Sequence, residues 1–308
     1  MKAKQTLPLL LLPLIWGGYY VASQQAVERM SVFSAGVLIR FFTMILLGIM
    51  MIKRRQAGLL FRTGKMARRL LLIGLLGFLL DLTAFIGLSL SPAGSGTALL
   101  KCDILFVNLI SVIIYKERFT KRDWIDTFVM LAGVFMIMGV NPFRFRFEGL
   151  GDIFFILSAF FVSVNAFLIK SVQLNKEVPI EDNVIAFYNN FITMIFFLAA
   201  SFIMGTFGQI TGAKSFSAFI PAVLAGIGQT LIYVVYYYDL RRYSVWVVKI
   251  FLLLMPIVSA FISFVLFGEK LQRGQYLGIV IVLAGGCGIL VEQKRKAGSP
   301  AKSGGVKT

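Results

Sequence analysis

Ten runs of mostly apolar residues, each about long enough to cross a bilayer, follow one another along this chain, and most basic residues fall in the short segments between them. That pattern leaves few folds open. Wound as an α-helix at ~1.5 Å per residue, about twenty residues span the ~30 Å hydrocarbon core of a membrane. Backbone groups in hydrocarbon must be satisfied internally, which a helix does within one segment. The spans fall near 7–22, 32–52, 70–90, 95–115, 124–140, 151–170, 184–207, 217–238, 245–267 and 275–291. Pro13 and Pro256 lie inside spans, where bundles tolerate them. No spacing suggests the alternating strands of a β-barrel. The expected fold class is all-α: a polytopic membrane protein with ten transmembrane helices.

Composition agrees. Hydrophobic residues make up 58% of the 308 and charged residues only 15%, against ~45–50% and ~25% in soluble domains. Too few charges remain to coat a soluble globule, so the lipid bilayer is the expected partner. The net charge of +17 points on a soluble protein to nucleic acid. Here the basic residues sit in short loops, where they set orientation, and no nucleic-acid partner is expected. With the N-terminus placed in the cytoplasm, 22 Lys and Arg fall on the inside. The outside keeps six: Arg29, Arg144, Arg146, Lys214, Lys270 and Arg273. Both termini are therefore expected in the cytoplasm of a plasma-membrane protein, which also requires an even number of spans. The first span, with Lys2 and Lys4 ahead of LPLLLLPLIW, has the outline of a signal peptide as well. The repeat described next favours a retained helix.

Two copies of one pattern lie 152 residues apart. Glu117 aligns with Glu269, Arg118 with Lys270, Trp124 with Tyr276, and Leu131-Ala132-Gly133 with Leu283-Ala284-Gly285. A second match aligns Thr43-Met44-Ile45 with Thr193-Met194-Ile195, which sets Arg40 opposite Asn190. Five spans per half is an odd number, so the second half must be inverted. Two inverted five-helix repeats are thus expected, over 1–141 and 142–292, with a basic disordered tail over 293–308. Inverted repeats recur in secondary transporters, with the site near the midplane between them.

These residues carry a family resemblance. Trp16-Gly17, Arg40-Phe41, the acid-base-apolar link before LAG in both halves, and Pro256 ahead of FGEKL resemble the EamA family of the drug/metabolite transporter superfamily. The resemblance runs over about 7–292 and implies a ten-helix secondary transporter, often an exporter of metabolites, amino acids or toxic compounds. The fourth span departs from the family pattern: Ile104 stands where the ninth has Pro256, and Lys101-Cys102-Asp103 precedes it.

Charge at the bilayer centre costs at least ~2.5–3.5 kcal/mol on insertion scales, so intramembrane charges face a bundle interior or a wet cavity. Five stand out: Arg40, Asp81, Lys101, Asp103 and Lys249. Asp81 and Asp103 are each eleven residues from Pro92, at matched depth on a span-three/span-four hairpin. An Asp81–Lys101 ion pair and a substrate or proton site both fit there, and both can hold at once. Helical spacing puts Thr97, Lys101 and Asn108 on one face of span four, a candidate cavity lining. Lys249 either snorkels to the cytoplasmic interface or joins the pathway. Arg40 either clamps neighbouring carbonyls or belongs to the site. Trp16 and Tyr233 are the deepest of the polar aromatics. Asn165, Asn190 and their polar neighbours either bind a ligand or bond helix to helix.

Several classes are excluded or demoted. There is no histidine, which removes Ser-His and Cys-His nucleophile pairs and HExxH zinc sites. No phosphate-binding GxxxxGK[ST] loop occurs. Cys102 and Cys287 show no metal spacing. No cofactor, metal or catalytic residue is expected, and nothing sets an oligomeric state. The leading reading is a secondary transporter of a small-molecule substrate, with coupling to protons or to an exchanged solute both open. The alternatives are a membrane receptor or scaffold without flux, and an intramembrane enzyme using Asp81 and Asp103 as a proton-sharing pair.

Overall fold

Backbone that lipid cannot hydrogen-bond has to close its own bonds, and the computed structural model is mainly helical through the apolar stretches it describes. It describes residues 3–90, 98–117, 119–141, 149–267 and 271–298. Pro92, Thr97, Arg118, Glu269, Lys270 and the chain from Ser299 onward lie outside them. The elements are α1 Ala3–Val27, α2 Val32–Lys53, α3 Ala67–Leu90, α4 Asp103–Ile113, α5 Lys121–Ile137, α6 Leu150–Gln173, α7 Asp182–Ile203, α8 Ala213–Arg242, α9 Val245–Leu252, α10 Met255–Phe267 and α11 Arg273–Gly298. No strand occurs among the described residues. Among the described residues, five stretches are long and apolar enough by themselves to cross a membrane: Val32–Lys53, Leu150–Gln173, Asp182–Ile203, Ala218–Arg242 and Val245–Ile262.

Local chemistry sets the ends. Ser31 caps α2 by accepting from the Ser34 amide at 3.2 Å. Thr120 and Asp123 form a reciprocal capping box at the start of α5. Helix α11 runs on through Lys294-Arg295-Lys296 to Gly298, so the basic tail begins later than residue 293. Glu, Gln, Lys, Arg and Ala are good helix formers and extend an existing helix at little cost.

The two halves match in atomic detail. Helices α2 and α7 each have 22 residues, at an offset of 150. Both close with the same pair of backbone bonds, Arg55 N to Ile52 O and Gln56 N to Met51 O in one, Gly205 N to Phe202 O and Thr206 N to Ser201 O in the other. Arg55 and Gly205 both take left-handed φ, at 56° and 65°. Thr43 of α2 donates to Gly226 O of α8 at 3.3 Å, and Thr193 of α7 donates to Gly74 O of α3 at 3.1 Å. Each member of the second pair is the counterpart of one in the first. The two helices lie antiparallel. Ser34 near the start of α2 meets Ser201 near the end of α7, and Asn183 near the start of α7 donates to Gln56 just beyond α2. Antiparallel equivalents are what an inverted repeat produces. Residues 41–62 and 191–212 pass through buried, half-buried and exposed positions in the same order throughout. The exposed stripe holds Phe41, Ile45 and Ile49 on one copy and Phe191, Ile195 and Phe202 on the other, apolar surface suited to lipid.

The fourth and ninth spans depart from the expected continuous helices. Residues 98–100 are helical, 101–102 form a turn, and α4 starts at Asp103. In the ninth, 253–254 form a turn between α9 and α10. The two breaks stand 152 residues apart, so they are one feature repeated. Pro256 accounts for the second, because its ring cannot fit behind a continuous helical turn. The first break has no proline.

The repeated LAG glycines lie where α5 and α11 touch. A Cβ at Gly278 would sit 2.6 Å from Gly133 O, and one at Gly133 2.9 Å from Gly278 O. Small residues let membrane helices approach this closely. Gly278→Leu should force α5 and α11 apart and cost about 1–3 kcal/mol, read as a lower melting temperature of the purified protein in detergent. Gly18→Ala, with nothing within 4 Å of the added carbon, should melt as the parent does. Equal melting of both variants would count against the close approach.

Candidate functional site

Arg40 lies eight residues into α2 and is only 8% exposed. A guanidinium has five donors in a fixed fork, and its partners come from three other helices. Nη1 donates to Tyr233 Oη of α8 at 2.7 Å and to Asn190 Oδ1 of α7 at 3.4 Å, and Nη2 donates to Asp81 Oδ2 of α3 at 3.1 Å. Asn190 returns a bond from Nδ2 to Arg40 O at 2.9 Å. Asn190 is the repeat counterpart of Arg40, at an offset of 150, and Tyr233 that of Asp81, at 152. The guanidinium therefore sits where the halves meet, with two equivalent pairs of positions around it. Asymmetric residues fill them: Arg against Asn, and Asp against Tyr.

The second charged group is built on the broken helices. Lys249 Nζ donates to Asp103 Oδ2 at 2.8 Å, and Lys249 is 3% exposed. Asp103 is the first residue of α4, and Lys249 lies in the last turn of α9. A carboxylate at a helix N-terminus and a cation near a C-terminus both complement the helix dipoles. The breaks thus create the helix ends that the pair stabilises. Lys101, in the turn before α4, reaches Met255 Sδ of α10 at 3.7 Å, so the two breaks touch.

Helix α8 connects the two groups. Tyr233 bonds Arg40, and Tyr236, three residues on, is near enough for Lys249 and Asp103 to act on it. Trp16 of α1 packs edge-on against Tyr236, with ring centroids 5.4 Å apart. Tyr19 lies within electrostatic reach of Arg40 and Asp81.

The charges pair differently from the expectation of an Asp81–Lys101 bridge. Asp81 goes to Arg40 and Asp103 to Lys249, and no Asp81–Lys101 ion pair occurs among the described residues. The hairpin argument assumed a continuous fourth helix and considered only its neighbour. Lys249 does not snorkel; it is buried in an ion pair. Arg40 clamps side chains and not carbonyls. Thr97 lies outside the described residues, and the shared face proposed for Lys101 and Asn108 does not form. Asn108 donates to Thr127 Oγ1 of α5 at 3.2 Å, while Lys101 turns to α10. Asn165 of α6 is buried, and its Oδ1 has no hydrogen-bond partner among the described residues. Asp81 and Asp103 are held by different cations, an arrangement unlike the proton-sharing pair of an aspartyl protease. Sequence reasoning missed Met255 and did not single out Tyr236. It used Arg241 only to set orientation, yet Arg241 also ties α8 to α7 through Asp182 at 2.6 Å.

The model of the EamA-like transporter family matches residues 6–139 and again 149–291. The chain belongs to the EamA-like transporter family. That family belongs to the drug/metabolite transporter superfamily, and its members are transporters. A relative from Archaeoglobus fulgidus, described as an uncharacterized transporter, is 26% identical over 200 residues, 65% of this chain. The match spans 58% of that relative's length. A solved crystal structure of a protein 15% identical superposes with a TM-score of 0.77 over 96% of this chain and 100% of the other. At that identity the likeness is one of fold.

Proposed function

We propose that this EamA transporter is a secondary exporter of small metabolites, such as amino acids and related compounds, or of drugs, working by alternating access at a site between the repeats near the midplane. The observation that carries this is where the central polar contacts run. Arg40 reaches Asn190 and Tyr233, Asp103 reaches Lys249, and Lys101 reaches Met255. Each joins residues 1–141 to residues 142–292. Rocking one repeat against the other has to break and remake them, and the broken spans supply helix ends at that level, as in other inverted-repeat transporters. Coupling to protons and exchange for a second solute both accommodate this arrangement.

Purified protein in liposomes should move at least one labelled amino acid or cationic drug faster than protein-free vesicles. No flux across such a panel favours a receptor or scaffold. The proposed location is the plasma membrane with both termini cytoplasmic. A cytoplasm-active reporter fused after residue 292 should then give signal, and a periplasm-active one should not; the reverse result contradicts that topology.

A further inference from the structure

The buried charges of the central layer do not balance. Among the described residues, the cations of this layer, Arg40, Lys101 and Lys249, are set against two carboxylates, Asp81 and Asp103, and each carboxylate already holds one cation at 2.8–3.1 Å. Lys101 is the cation left over. Among the described residues its ammonium meets one polar partner, the thioether of Met255 at 3.7 Å. A thioether is a weak acceptor and carries no charge. The side chain is half-buried, so the ammonium is neither sealed in a dry core nor open to bulk solvent. Asp103 lies within electrostatic reach of Lys101 but pairs with Lys249, so three cations against two carboxylates leave one positive charge uncompensated, a costly state inside a membrane.

Position strengthens the point. Lys101 occupies the turn of the first broken span and touches the first residue after the break in the second. It lies at the contact between the repeats, one turn from the start of α4. The residue before α4, Cys102, makes no side-chain capping bond to its first turn. The Ile104 and Leu105 amides instead close on Lys101 O and Cys102 O, and the dipole of α4 places partial positive charge at this end. Asp103 complements this end of α4, but Lys249 beside it neutralises its charge, which leaves Lys101 uncompensated. Tyr236 lies beside the Lys249–Asp103 pair, and Trp16 packs edge-on against Tyr236, so aromatic surface that suits a carbon skeleton is close by.

We infer that Lys101 is the contact for the carboxylate of a transported monocarboxylate, an amino acid or a simple organic acid. A single negative charge balances the surplus. This deepens the transporter reading and rests on it for the word transported; the binding claim stands separately.

The test uses purified full-length protein and matched probes: a panel of amino acids and of aliphatic and aromatic monocarboxylic acids, each beside its own carboxamide. At least one acid should raise the melting temperature while its amide does not. Lys101→Met should lose that response, and Lys101→Arg should keep it. A charge-assisted hydrogen bond of the usual strength corresponds to about a tenfold to hundredfold rise in the half-saturating concentration for Lys101→Met. If Lys101→Met does not fold, Lys101→Gln takes its place, and with it acids must again bind about tenfold or more weakly. The inference is overturned if no acid stabilises the protein, if acids and amides act alike, or if the neutral variants bind acids as the parent does. Liposome flux separates the two readings. Lys101-dependent acid binding without flux removes transport and keeps the site. Flux of amides or cationic drugs that is unchanged in Lys101→Met, with no acid response, removes the site and keeps transport.

Discussion

Arg40→Met should yield much less folded protein than the parent, and what is recovered should be about 3–5 kcal/mol less stable, the usual result of orphaning one member of a buried ion pair. Asp81 would lose its cation, and Tyr233 Oη and Asn190 Oδ1 would lose their donor at the same time. Arg40→Lys keeps a charge but cannot reach three acceptors in a plane, so it should fall between the two. Adding Asp81→Asn to Arg40→Met removes the stranded carboxylate and should recover most of the loss. The measurement is melting of the parent, Arg40→Met, Asp81→Asn and the double variant in one detergent, treated as a double-mutant cycle, with Arg40→Lys beside them. A double variant no better than Arg40→Met would assign Arg40 its role through Tyr233 and Asn190 and not through Asp81. Transport by a well-folded double variant would show that the pair is structural; loss of transport with folding restored would place it in the cycle.

What the sequence revealed and what it hid follow a physical division. Spanning helices are set by local composition, so an all-helical membrane fold could be read from runs of apolar residues and basic loops. The Thr-Met-Ile match fixed an offset that holds along the whole of α2 and α7, down to their terminal caps. The LAG match marked Gly133 and Gly285, which both lie in the α5–α11 contact, Gly133 against Gly278 and Gly285 against Met130. Charge pairing was not legible, because several cations lie at comparable depth. Arg40 is eight residues from the start of α2, and Asp81 nine from the end of α3, both counted from the same face of the bundle. Depth alone could not choose Arg40 over Lys101 as the partner of Asp81. The first break carried no local signal at all. It became visible only once the second, marked by Pro256, was mapped back through the repeat. Lys249 was read as near the interface because α9 begins four residues earlier, but its short segment runs inward to the break and delivers the ammonium to Asp103.

The Asp103–Lys249 pair should respond asymmetrically to the loss of its two members. Asp103→Asn leaves Lys249 and Lys101 facing one another's charge without a carboxylate between them; both lie within electrostatic reach of Asp103 now, and of each other. Two buried cations then lack an anion, and the loss should be about 3–5 kcal/mol. Lys249→Met strands Asp103, but this carboxylate has two supports left. It sits at the N-terminus of α4, where the helix dipole contributes about 0.3–1 kcal/mol, and Lys101, two residues earlier, is a cation in need of a partner. A rotation of Lys101 from Met255 toward Asp103 would rebuild an ion pair, so Lys249→Met should cost clearly less than Asp103→Asn. The same rotation carries a second consequence. Lys101 engaged by Asp103 is no longer a surplus charge, and Lys249→Met should weaken the response to monocarboxylates even though Lys249 is already paired within the protein. Removing Lys101 as well should then make Lys249→Met markedly worse, because the substitute cation is gone. Melting of Asp103→Asn, Lys249→Met and Lys249→Met/Lys101→Met in parallel decides the matter. Equal losses in the two single variants, or no added loss in the double, would show that Lys101 does not stand in for Lys249 and that the three charges do not form one group.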